Sequence, residues 1–386
     1  MPSIAIAGSL AQKPGRGGHS WVFLQYLLGF RKLGWDVLFL DRLEPDMCID
    51  NDGGRAALAE SWNLRYLEDV MCRFGLDRKW ALVCDRGSYT IGRSRAAILE
   101  HVRSSEALIN VMGFLKDDEI LASAPRRVFL DIDPGFGQMW RQLGLHDAFR
   151  GHDAYVTIAE NIGHPSCAIP TCGLDWIATP QPIVLDEWPA TGDGAGSGAV
   201  TSVVSWRGAN GPVTYQGQTY GLRPREFRKF VALPKHSGGR FELALDIHPG
   251  DEQDRDLLRG NGWSLVSPQE VAGDPWRYRE YIRKSAAELM IAKNMYVDTN
   301  SGWVSDRSIC YLASGRPVVA QDTGVTNLFP TGEGLLTFTS LEQAVDAVCA
   351  VRREPQRHQR AARRLAEEYF ESSTVLRALV RKLGLA

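Results

Sequence analysis

The sequence predicts an α/β protein made of two doubly wound domains, with helices at its C-terminal end. Strands alternating with helical stretches, the pattern of a parallel sheet, occur twice along the chain. Between the two series, residues 179–198 change to prolines followed by Gly, Ser and Ala without periodicity. A length of 386 residues is enough for two ordinary cores.

The first strand is expected at residues 3–7. A loop at residues 8–18 follows, rich in glycine and carrying Lys13 and Arg16. From His19 onward Trp21, Leu24, Leu27, Leu28 and Phe30 recur at helical spacing, Gly34 ends that helix, and residues 36–41 form the second strand. Residues 51–74 read as mostly helical, and further strands are expected at 81–84, 107–111, 127–132, 154–158 and 166–169. The second series has strands at 200–205, 241–246, 263–266, 295–298, 317–320 and 335–338, with helices at 224–231 and 276–292 between them. Three amphipathic helices, 341–351, 356–370 and 373–383, close the chain. The expected division is therefore a first domain over 1–180, a linker over 181–199, a second domain over 200–365, and a terminal helix, 366–386, that packs back on the first domain.

A net charge of −2, with 44% hydrophobic and 23% charged residues, is that of a globular protein with no general attraction to nucleic acid or anionic lipid. No apolar run approaches the roughly 20 residues that span a bilayer, so no transmembrane segment is expected and the protein reads as cytoplasmic. Seven scattered cysteines read as reduced thiols. Asp131 and Asp133 alternate at a strand end and make a weak metal pair on their own, so no metal site is expected. Gly15, Gly17 and Ser20, with Asp41 ending the next strand, only partly match a dinucleotide fingerprint, because Gly15 comes too late after the first strand. No cofactor is expected.

The stretch from Ser301 to Asp322 is the most informative. Ser305 or Asp306 caps a helix that Gly315 stops, at the carboxyl end of a strand, which is a ready anion site. Gly18-His19 before an apolar helix, Ser301-Gly302-Trp303-Val304-Ser305, and the strand after Gly315-Arg316-Pro317 together resemble GT-B-fold glycosyltransferases, in particular those of natural products. The resemblance implies two Rossmann-like domains facing across a cleft. The second would bind a nucleoside-diphosphate sugar and the first a small-molecule or glycan acceptor, with no nucleic acid among the partners. Asn300 and Val304 stand where that signature has histidine and asparagine. The paired glutamates of the retaining branch would fall at Gly302 and Cys310, so inversion is expected.

In that frame His19 is the candidate base, with Asp117 or Asp118 orienting it and Gly17 and Gly18 forming the acceptor-side loop. Donor contacts are expected from Arg207 on the diphosphate, Trp206 on the base, Glu288 on ribose, and Lys293 and Arg307 as further cations. Asn300, Ser301, Gly302, Trp303 and Ser305 form the signature loop, and Asp306 and Asp322 face the sugar. A nucleotide-sugar epimerase and a non-catalytic nucleotide-sugar-binding protein are the alternatives.

Overall fold

A computed structural model describes residues 1–190, 198–208, 210–221 and 223–385. Its first sheet contains β1 (Ser3–Ala7), β2 (Asp36–Leu43), β3 (Trp80–Cys84), β4 (Tyr89–Ile91), β5 (Ala107–Val111), β6 (Arg127–Asp131), β7 (Ala154–Thr157) and β8 (Trp176–Ala178). The order is β4-β3-β2-β1-β5-β6-β7-β8, all parallel except β4. All five residues of β1 are buried, as befits a strand covered on both faces. Its neighbours are β2 and β5, so the connections diverge at its carboxyl end and open a crevice there.

The second half contains β9 (Val200–Ser205), β10 (Val213–Tyr215), β11 (Gln218–Tyr220), β12 (Phe241–Asp246), β13 (Trp263–Val266), β14 (Ala287–Met290), β15 (Val318–Gln321) and β16 (Leu335–Phe338). Six of them form a parallel sheet, β13-β12-β9-β14-β15-β16, whose order reverses between β9 and β14; β10 and β11 make a separate hairpin. The chain thus has two α/β units whose switch points face a common cleft.

The helix Gly17–Lys32 is buried over most of its circumference because it lies against β2, the helix Pro275–Lys284 and the last helix, Ser372–Lys382. That last helix returns to the first unit: a Cβ added to Gly29 would lie 2.6 Å from Leu376 Cδ1. Beside it the Ile183 amide donates to Phe370 O at 2.7 Å, and the Ser372 amide to Ile183 O at 2.9 Å. Residues 191–197 of the expected linker lie outside the described residues. The stretch before them is packed, with Trp188 fully buried and its ring 4.8 Å from that of Trp21. Among the described residues no helix is long and apolar enough to cross a membrane.

Three expected elements differ. The helix expected over 276–292 ends at Lys284, and the four buried residues of β14 follow, Glu288 among them. Residues 295–298, expected as a strand, belong to the short helix Asn294–Asp298. Residues 166–169 are irregular, and the outer strand of the first sheet is β8 instead.

Candidate active site

The loop after β1 is shaped by Asp41, at the end of β2. Its carboxylate accepts the Ala11 amide at 2.6 Å and Gln12 Nε2 at 2.8 Å. Burial pushes its pKa up to about 7. Asp41 thus holds protein backbone where a dinucleotide fingerprint would hold ribose. The loop so folded brings Lys13 and His19 to one cleft of about 450 Å³. His19 Nε2 is 2.9 Å from Ser9 Oγ, and its ring stands edge-on to Phe23 at 5.0 Å. Burial, then the charge of Lys13, lowers its pKa well below the usual histidine range, so the imidazole is neutral at ordinary pH.

Gly17 and Gly18 seat the start of this helix against the second unit. A Cβ at Gly17 would come within 2.2 Å of the Asp274 carbonyl, and one at Gly18 within 2.9 Å of the Tyr278 ring. Only glycine permits that approach. Gly18 lines the cleft.

The opposite wall carries cations. Ser305 caps the helix Asp306–Ala313, its oxygen accepting the Arg307 amide at 3.3 Å, and the helix N-terminus faces the cleft. Arg307 pairs through Nε with Glu288 and gives Nη1 to Val203 O at 2.8 Å, while Nη2 is buried without a partner. Arg223 donates to Ile291 O at 2.9 Å and its Nε is likewise unpartnered; burial and then Arg307 push its pKa down to about 10. Lys293 crosses to the first unit, with both oxygens of Asp133 at 3.1 Å. Tyr296 OH and Asn210 Nδ2 bind the same carboxylate. The Trp303 ring stacks on Tyr296 at 4.1 Å. Gly302, at φ +71°, makes the turn before it, where a Cβ would meet the Asn161 amide at 2.9 Å. Burial raises the pKa of Asp306.

Several expected contacts are not at the cleft. Asp117 caps the helix Asp118–Ser123, accepting the Ile120 amide, and pairs with Arg95 at 2.9 Å; Asp118 is exposed beside it. Neither touches His19, whose polar neighbour is Ser9. Trp206 is 2% exposed and gives its indole N–H to Asp254 at 2.8 Å, so it is a core residue and cannot stack on a base. Glu288 is wholly buried as the partner of Arg307 and is not a ribose ligand. Asp322 caps its own loop through the amides of Gly324 and Val325. Asn300, at φ +51°, turns away to Ser166 Oγ at 2.9 Å, and Ser301 Oγ holds the Trp303 amide. Arg207 is exposed and paired with Asp251 at 2.7 Å. It lines a second, larger cavity of about 810 Å³ along the loops after β9 and β12, which also touches Lys13 and His19.

Asp131 is held by Gln138 and Thr157, and Asp133 by Lys293, so both carboxylates serve protein donors. Among the described residues no cluster has the makings of a metal site. Arg223 and Tyr296 were not among the sequence candidates, and Lys13 was noted only as a cation of its loop. Arg223 lies beyond a hairpin and Lys13 in a loop, and no local pattern marks their meeting.

Residues 243–379 match the family described as "Glycosyl transferase-like". Solved structures match over nearly the full length. AviGT4, a glycosyltransferase involved in avilamycin A biosynthesis, is 14% identical with a TM-score of 0.54, covering 99% of this chain and 97% of that one. The chain has the GT-B fold of glycosyltransferases. An alpha-glucosyltransferase in complex with UDP is 11% identical with a TM-score of 0.57 and full coverage of both chains. The Anabaena protein HepE, also with UDP, is 12% identical with a TM-score of 0.58 and full coverage of both. Another alpha-glucosyltransferase structure, 11% identical with a TM-score of 0.59 over 99% of both chains, holds UDP with a 13-mer DNA. No curated protein matches the chain. The matched family and the GT-B fold together support a glycosyltransferase function. The matched segment carries Lys293, Ser305 and Arg307.

Proposed function

We propose that the protein moves a sugar from a nucleoside diphosphate to a hydroxyl acceptor, with inversion and with His19 as the base. The observation that carries this is the meeting, in one cleft, of a neutral imidazole from the first unit with Arg223, Lys293, Arg307 and a helix N-terminus from the second. The leaving diphosphate needs cations, and the buried unpartnered nitrogens of Arg223 and Arg307 need an acceptor. The amides before Arg307 extend that site. Asp306 faces the sugar hydroxyls, because its carboxylate would repel phosphate at the same spot. The nucleoside runs into the larger cavity, past Arg207.

In the transfer the acceptor O–H proton passes to His19 while the acceptor oxygen bonds to the anomeric carbon. The bond from that carbon to the phosphate oxygen breaks, and its electron pair leaves with the diphosphate. One displacement of this kind inverts the configuration.

The test is a panel of labelled nucleotide sugars with proton NMR of the product. Transfer with inverted configuration, and a melting temperature raised by a nucleoside diphosphate, are expected. Isomerised sugar without transfer would favour an epimerase, and a thermal shift without turnover a binding protein. A retained configuration would remove His19 from its role.

A further inference from the structure

The wall of the cleft contributed by the first unit has a composition unlike the rest. Met112, Phe114, Phe129, Trp140 and Phe149 line it, with His146 at its rim. Phe129 and Phe149 meet edge to face at 4.9 Å, and Trp140 leans on Phe136 at 5.8 Å, leaving part of its own ring open. Met112 follows β5 at φ +51°, a conformation that non-glycine residues adopt rarely, and its sulfur accepts the Ile132 amide at 3.2 Å.

Polar groups behind this wall are spent inside the protein. Asn110 Oδ1 accepts the Leu115 amide at 3.1 Å, and its Nδ2 donates to Leu115 O at 3.2 Å. Asp131 takes Gln138 Nε2 at 2.6 Å, and His152 Nδ1 lies 3.1 Å from Phe149 O. A sugar acceptor stacked here would meet rings where its hydroxyls need hydrogen-bond partners, which is costly. A flat apolar ring has no such requirement and gains from burial against aromatic faces.

We propose that this wall is an acceptor subsite for an aromatic hydroxyl compound, a phenol, whose ring lies on Phe114 and Trp140 with its oxygen toward His19. The inference rests on the transfer reading above. The chemistry of the base agrees with it. A histidine held neutral by burial is a weak base, and a phenolic proton, with a pKa of roughly 10 as in tyrosine, is far easier to remove than that of an alkyl alcohol. The phenolic proton goes to His19, the phenolic oxygen bonds to the anomeric carbon, and the diphosphate leaves with the electron pair of the bond it loses.

The experiment is equilibrium dialysis of 1-naphthol and of D-glucose against the full chain saturated with UDP, repeated with Trp140→Ala and Trp140→Phe. Naphthol is expected to bind at least tenfold more tightly than glucose. Trp140→Ala should weaken naphthol about tenfold with unchanged UDP affinity, and Trp140→Phe should restore most of the loss. Glucose bound as tightly as naphthol, or naphthol binding unaffected by Trp140→Ala, would overturn the subsite even with UDP bound. Failure of UDP itself to bind would instead remove the donor reading.

Discussion

The two walls of the cleft are built on opposite principles. On the side of the second unit, Arg223, Lys293 and Arg307 gather positive charge around the start of a helix. On the side of the first unit, rings and a thioether present mostly apolar surface, with His19 and Lys13 beside them. Both walls sit at the carboxyl ends of parallel strands, so the fold supplies the same platform twice. Side-chain chemistry alone distinguishes them. A charged leaving group and a weakly polar nucleophile need opposite surroundings, and a two-unit architecture lets each be met separately.

The sharpest way to break this comparison is His19→Gln. Transfer should fall by about 10²–10⁴-fold, the usual worth of a general base, while calorimetry finds UDP affinity unchanged. Equal losses in both would place His19 on the donor side. Next, Lys293→Met should weaken UDP by about 10–100-fold, corresponding to one charged hydrogen bond of roughly 1.5–3 kcal/mol. Unchanged affinity would leave the cationic wall without its assigned ligand. The pH profile sharpens the contrast further. His19 has its pKa lowered by burial first and by Lys13 second, so the base is lost only as pH falls, on a limb lying below pH 6.5. Lys13→Met removes a neighbouring positive charge, and the acid limb of kcat/KM should move to higher pH. The smallest effect belongs to Asp117→Ala. It loses a helix cap worth about 1 kcal/mol, seen in the denaturation midpoint, with transfer unaltered.

Much of this was legible in the sequence where local physics is decisive. Residues 3–7 and 36–41 are apolar runs between turn residues, and the helix from Gly17 repeats at helical spacing. Ser305 before Asp306, with Gly315 and Pro317 behind, marks a capped helix in any context. The error over 276–298 has a clear origin. Apolar spacing continues past Lys284, and a glutamate in the next segment argues against a buried strand until Arg307, nineteen residues on, neutralises it. Tyr296 and Val297 favour strands by propensity, yet tertiary packing against Trp303 fixes them in a helix. Trp206 beside Arg207 reads like a ligand pair, but the indole found Asp254 in the core. The cleft was the least legible part. Lys13, Asp133, Arg223 and Tyr296 meet only because two sheets from distant parts of the chain are brought face to face.

The return of the helix Ser372–Lys382 onto Gly29 has a bearing on how the molecule assembles. The contact closes a loop of roughly 350 residues, and although closure entropy grows only with the logarithm of length, the loop contains the entire second unit. A fragment that ends before residue 372 would therefore leave that flank of the helix Gly17–Lys32 without its cover.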